Sequence, residues 1–181
     1  MNAWYASAVN DDTTTARDEL VDVVDDDDHV ITTVSRSEMR ARRLRHRCVF
    51  VAVLSARGEL LVHRRCATKD VWPSRLDVAA GGVVAAGERY DDAARRELAE
   101  EIGIAGVELE ALGGGEYADD DVALVGRVYA VTHDGPFTFA DGEVVWAGFV
   151  GRDELGARLA TESFVPDSVA LVLPLIADRL R

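Results

Sequence analysis

Three glutamates, Glu97, Glu100 and Glu101, sit close together in a stretch whose pattern is that of a helix. At about 100° per residue they span an arc of roughly 100° on one helix face. Like charges so placed repel one another and weaken the helix. A surface helix would interleave lysine or arginine there. Such crowding is useful only where a cation neutralises it, and hard oxygen ligands select Mg²⁺, Mn²⁺ or Ca²⁺. The competing reading is a solvated acidic face, and the three glutamates alone favour it slightly.

The elements that must position these acids change the balance. Gly81, Gly82 and Gly87 precede the helix, with Glu88 just ahead of it, and a glycine-rich loop lets backbone approach a ligand closely. Asp91 and Asp92 are the candidate N-caps and Gly103 the candidate stop. Ala94, Leu98 and Ile102 fall four apart and form the apolar stripe that would seat the helix on a core.

Taken together, the stretch resembles the signature of the Nudix hydrolases. That signature is Gly, five residues, Glu, seven residues, Arg-Glu, an aliphatic, any residue, Glu-Glu, any residue, Gly and an aliphatic. Gly82, Glu88, Arg96, Glu97, Leu98, Glu100, Glu101, Gly103 and Ile104 fill all nine specified positions over 23 residues. The resemblance implies an α/β fold with a mixed β-sheet sandwiched between α-helices. It also implies Mg²⁺ or Mn²⁺ held by Glu97, Glu101 and Glu100, with the Gly82 carbonyl as a further ligand. Glu88 and Arg96 would brace loop and helix through an ion pair, with Gly103 closing the box. The general base would be a box carboxylate (Glu97 or Glu100) or Glu143, which leads a late strand; a simple strand-entry charge is an equal alternative for Glu143.

A weaker resemblance covers roughly Glu19 to the C-terminus and is to the branch that includes isopentenyl diphosphate isomerase. It rests on Val21–Asp25, Arg36-x-Glu38-Met39-Arg40, Leu44–Arg47, Arg64–Lys69 and Trp72-Pro73. Arg65 and Lys69 match the spacing of that isomerase's diphosphate-holding pair, which implies substrate binding here. The isomerase's catalytic Cys falls at Gly81 and its following His near Val83. His46 stands near another of its histidines, a position that alone reads as structural. The expected activity is therefore metal-dependent hydrolysis of a diphosphate linkage in a nucleoside diphosphate derivative or similar small molecule. An isomerase-like enzyme and a non-catalytic diphosphate binder are the alternatives.

The bulk numbers set the frame. A chain of 181 residues with 48% hydrophobic and 29% charged content fits one soluble domain. A net charge of −13 argues against a nucleic-acid polymer or an anionic membrane as partner; a homodimer is left open. Lys69 is the single lysine, and Cys48 and Cys66 form no CxxC pair. With no apolar run long enough to span a bilayer and no signal peptide, the expected location is the cytoplasm. Residues 1–18 read as a flexible tail and 19–181 as the Nudix domain. Strands are expected at Glu19–Val24, Val30–Val34, Cys48–Leu54, Glu59–Val62, Leu76–Ala80, Val107–Leu112, Val122–Thr132 and Glu143–Phe149, the last entered through Asp141-Gly142. Helices are expected at Ser35–His46, Arg152–Ala160 and Pro166–Leu180, besides that of the box. Asp25–Asp28 reads as a solvated turn, and the arginines from Arg36 to Arg47 as a solvated or ion-paired face. Trp72, Tyr117 and Phe139 could stack on a base, although each is more often a packing residue.

Overall fold

The computed structural model describes residues 3–5, 19–140 and 142–181. Its strands are β1 (Ala3–Tyr5), β2 (Leu20–Val24), β3 (Val30–Ser35), β4 (His46–Leu54), β5 (Leu60–Arg65), β6 (Leu76–Asp77), β7 (Ala80–Val83), β8 (Glu110–Ala118), β9 (Ala123–Thr132) and β10 (Val144–Val150). The helices are α1 (Arg36–Ala41), α2 (Tyr90–Glu97, continued by a π-helical turn Leu98–Ile102), α3 (Arg152–Thr161) and α4 (Pro166–Ile176). Among the described residues no helix is long and apolar enough to cross a membrane.

β4 is the strand the sheet is built on. Along one edge it runs parallel to β9 through nine paired positions, His46↔Leu124 to Leu54↔Thr132. Three partners share the other edge: β2 at His46, β7 over Cys48–Val51 and β5 at Leu54, all antiparallel. β8 flanks β9, and β10 flanks β5. The unbroken apolar run of β4 follows from this place, because both faces of the strand are covered. Val49, Val51 and Val53 pack with Ala93, Ala94, Leu98 and Ile102 of α2. Cys48, Phe50, Ala52 and Leu54 pack with Leu155 of α3 and Val172 and Ile176 of α4. The mixed sheet between helices is the architecture the sequence led us to expect.

Several local expectations are corrected. Residues 3–5 are not a loose tail: β1 pairs with β10, and Trp4 packs edge-on against Phe137 and Phe149, with ring centroids 4.8 and 5.8 Å away. Burial of a large aromatic holds so short a strand in place. The Asn10–Thr15 stretch and Asp141 lie outside the described residues. The N-cap of α2 is Arg89, so Asp91 and Asp92 lie in the first turn, where their charge favours the helix dipole; Asp91 also accepts the Tyr129 hydroxyl at 2.7 Å. α1 is capped by Ser35 through the Glu38 N–H at 3.2 Å but ends at Ala41, and His46 already belongs to β4. The Leu76–Ala80 strand is two short ones, because Asp77 turns its carboxylate back onto the Val78 and Ala79 N–H groups. Trp72 and Phe139 are core residues rather than free stacking platforms, and Tyr117 donates its hydroxyl to Asp119.

Candidate active site

The glycine strand β7 leads through a tight loop into α2, and the acids of α2 fold back over that strand. Glu101, in the π turn, is 1% exposed; its Oε2 accepts the Gly81 N–H at 3.0 Å. Glu97 lies one turn earlier, 8% exposed, with its carboxylate against the backbone of Gly82. A Cβ at Gly82 would stand 2.5 Å from Glu97 Oε1, so only glycine allows this approach. Gly103 ends the turn at φ 75°, a left-handed conformation that glycine adopts without strain.

Arg96 fastens the loop to the helix. Its Nε and Nη2 donate to the two oxygens of Glu88 at 3.0 and 2.9 Å, a bidentate pair, and Nη2 also reaches the Val83 carbonyl at 3.3 Å. Glu88 in turn accepts the Ala85 N–H at 3.0 Å. The Nη1 of the same guanidinium donates to Glu97 at 2.7 Å and to Glu100 at 3.1 Å. The expected ion pair of Glu88 and Arg96 is thus present, and Arg96 reaches two further acids. The three glutamates do not face one common point. Glu97 and Glu101 are buried, while Glu100 is half exposed and turned toward Arg96.

Lys69 supplies the second cation. Its Nζ donates to Glu101 at 3.1 Å and also to Glu143, the residue before β10, so it bridges the helix acid and the late acid. The Lys69 side chain is only 9% exposed. Burial alone would lower its proton affinity, but Glu101 and then Glu143 outweigh that and raise it. Burial also opposes ionisation of Glu101, and here Lys69 outweighs it and holds the carboxyl below its ordinary value. Glu97 goes the other way: burial and then the Glu101 charge push its pKa up. Two neighbouring acids pushed apart in this way are a mark of a site adapted to proton transfer or cation binding.

Arg65 lies beside this pair at 11% side-chain exposure, with Nη1 3.4 Å from Asp77 and Nη2 3.2 Å from the Val71 carbonyl. Among the described residues its Nε and the Nε2 of the buried His63 find no hydrogen-bond partner. The sequence reading passed over His63, Asp70, Asp77 and Asp167. One signal was available: alternation along β5 puts Leu61, His63 and Arg65 on one face, and Leu61 packs on the α2 side. His46 is buried, its Nδ1–H donating to the Leu44 carbonyl at 2.8 Å, and burial followed by the Arg40 charge lowers its pKa to about 4.

A family model described as the NUDIX domain matches residues 44–170. The chain belongs to the Nudix family. A Nudix hydrolase of Streptomyces coelicolor is 42% identical over 164 residues, covering 90% of this chain and 91% of the relative. The Nudix hydrolase YfcD of Escherichia coli K12 is 40% identical over 154 residues, covering 85% and 84%. The crystal structure of DR0079 from Deinococcus radiodurans superposes with a TM-score of 0.74 at 26% identity, covering 90% of this chain and all (100%) of that one. The protein is therefore a Nudix hydrolase in class, acting on a diphosphate-containing substrate, and Nudix domains typically bind a divalent metal ion.

Among the described residues no three His, Cys, Asp or Glu groups converge as a ready metal cage. The reason is visible: Arg96 and Lys69 hold the acids that such a cage needs. The donor set itself is all carboxylate and carbonyl oxygen, two of its acids are buried side by side, and that chemistry fits a hard divalent cation.

Proposed function

We propose that this Nudix hydrolase is a Mg²⁺- or Mn²⁺-dependent pyrophosphohydrolase that cleaves a diphosphate linkage in a nucleoside diphosphate derivative or a similar small organic diphosphate. The observation that carries the reading is the burial of Glu97 and Glu101 side by side, a pair that costs several kcal/mol unless cations compensate it. Glu97, Glu100 and Glu101, with the Gly82 carbonyl, would hold the metal. When bound, it supplies charge neutralisation of the diphosphate and a lowered pKa for water.

The chain's own residues do the rest. Arg65 and Lys69 would grip the phosphate oxygens, the first through a planar fork and the second through a mobile point charge. Water attacks phosphorus, the anhydride P–O bond breaks, and the proton of the water passes to a carboxylate. Glu97, Glu100 and Glu143 are the candidates. Glu88, Arg96 and Gly103 position loop and helix without touching substrate.

The isomerase-like alternative finds no support at its key position. A Cβ on Gly81 would collide with the carbonyl oxygen of Val49, because β7 and β4 are paired there. No side chain, and so no thiol, fits. A screen of nucleoside diphosphate derivatives, dinucleoside polyphosphates and isoprenoid diphosphates with Mg²⁺ and Mn²⁺ tests the proposal. Release of a phosphate-bearing product from one class is expected, and inertness toward all three with both metals would refute it.

A further inference from the structure

Two adjacent residues, Lys69 and Asp70, reach opposite kinds of partner. The Lys69 ammonium lies on Glu101 and Glu143, two of the acids assigned above to metal binding and catalysis. The Asp70 carboxylate lies between two arginines of α1, with Oδ2 3.1 Å from Arg40 Nε and 3.6 Å from Arg36 Nε. Arg36 and Arg40 are one helical turn apart and so present a two-pronged cationic surface toward the loop. Arg36 is close enough to the acids for the Glu97 charge to act on it. A cation among carboxylates beside an anion between guanidiniums is also what a metal-diphosphate complex would present.

We propose that the Lys69-Asp70 dipeptide is an internal stand-in for the ligand: Lys69 takes the place of the metal cation, and Asp70 that of a phosphoryl group on an Arg36–Arg40 subsite. The inference rests on the metal-dependent reading above and adds to it a binding site for an anionic group on α1. Metal arriving at Glu101 releases Lys69 from the carboxylates and frees it for a phosphate. The anionic substrate displaces Asp70, whose side chain is 41% exposed and so has a way out into water. The same loop carries Trp72 and Ser74 at φ 49° and 62°, a strained backbone that persists only where its surroundings hold it. Burial of Trp72, the Ser74 N–H on the Cys66 carbonyl, and Arg64 and Arg65 on the Ser74 and Val71 carbonyls provide that hold, so the loop stays anchored beyond Asp70. An occupied site lowers apparent affinity by the fraction of molecules that are open, so the dipeptide also sets how much metal and substrate the protein needs.

The single lysine makes the test direct, since acylation of a lysine reports on Lys69 alone. Mn²⁺ binding is followed by electron paramagnetic resonance, and Lys69 acylation by mass spectrometry with and without Mn²⁺. Imidodiphosphate binding is measured by calorimetry in chelator. We expect Mn²⁺ to speed acylation of Lys69 about ten-fold, and Lys69→Gln to bind Mn²⁺ about ten-fold more tightly than wild type. Asp70→Asn should bind imidodiphosphate about ten-fold more tightly, while Glu38→Gln, which neutralises an acid of α1 paired with Arg42, should stay within about two-fold of wild type. Wild type that binds no Mn²⁺ would overturn both this inference and the metal-dependent reading. Mn²⁺ binding with unchanged Lys69 acylation would overturn the displacement alone. Equal gains in Asp70→Asn and Glu38→Gln would reduce Asp70 to general surface charge and overturn the α1 subsite.

Discussion

Asp167 offers the cleanest measurement of the electrostatics beneath the site. It is the second residue of α4, 5% exposed, and its Oδ1 accepts the Ser168 N–H at 2.6 Å. Burial, and then the Asp77 charge, push its pKa from 3.8 to about 7. A carboxyl whose folded pKa is raised binds its proton more tightly in the native state. Its contribution to stability is complete below the unfolded pKa and is lost as pH rises through the folded one. Over about three pKa units at 1.36 kcal/mol each, the loss approaches about 4 kcal/mol, and water penetration brings the working range to about 2–4 kcal/mol. Asp167→Asn keeps the Oδ1 acceptor and removes the titration. Urea denaturation of both proteins in chelator, from pH 4 to pH 8, gives the difference in unfolding free energy. That difference should climb with pH in favour of the variant, mostly between the two pKa values, and level off above about pH 7. A constant offset would measure only how the amide fits, and titrating groups that do not interact with Asp167 cancel in the subtraction. A difference that is flat from pH 5 to pH 8, or that falls, would refute the reasoning.

Further outcomes follow from the acids and the loop. Glu101→Gln keeps the shape and the acceptor for Gly81 but not the charge; turnover should fall by about 10²-fold or more with the fold retained in circular dichroism. Wild type in excess chelator should lose activity to a similar degree. Isopentenyl diphosphate followed by NMR should yield no dimethylallyl diphosphate, and Gly81→Cys should lose stability without gaining that activity. Arg65→Lys and Lys69→Ala should both raise KM for whichever diphosphate is hydrolysed, the first because a point charge cannot replace a fork, and unchanged kcat/KM in both would return these residues to a structural role.

What could be read in the sequence was whatever depends on local spacing. The helix of the box, its stop at Gly103 and the buried run of β4 follow from periodicity and from glycine's conformational freedom, and the structure has them. The share of the arginines between Arg36 and Arg47 that is ion-paired is likewise there: Arg45 meets Glu116, Arg47 meets Asp28, and Arg42 meets Glu38. The Asp25–Asp28 run is the solvated turn expected, with Asp26 and Asp27 exposed, except at its last residue. Asp28, at φ 64°, is held by Arg47 and by the Tyr90 hydroxyl. Its partners lie 19 and 62 positions away, and no local pattern announces a contact of that range. His63 and Asp167 were missed for the same reason, since each acquires its meaning from groups on other strands.

The acids of α2 show how distant contacts reshape a local motif. An arc of three glutamates on a regular helix suggests one shared cation. In the fold, the π turn and the pull of two side chains divide them: Arg96, from the helix itself, takes Glu97 and Glu100, while Lys69, from a loop 32 positions away, takes Glu101. Like-charge repulsion has to be relieved whether or not metal is bound. Arg96 is tied to Glu88 by two hydrogen bonds as well, so it is fixed in the frame. Lys69 is attached through a loop and bonds to Glu101, which a metal would claim, and to the candidate base Glu143. Of the two cations that quiet the cluster, Lys69 is therefore the one a metal can replace, and a chain of net charge −13 keeps its single lysine at that position.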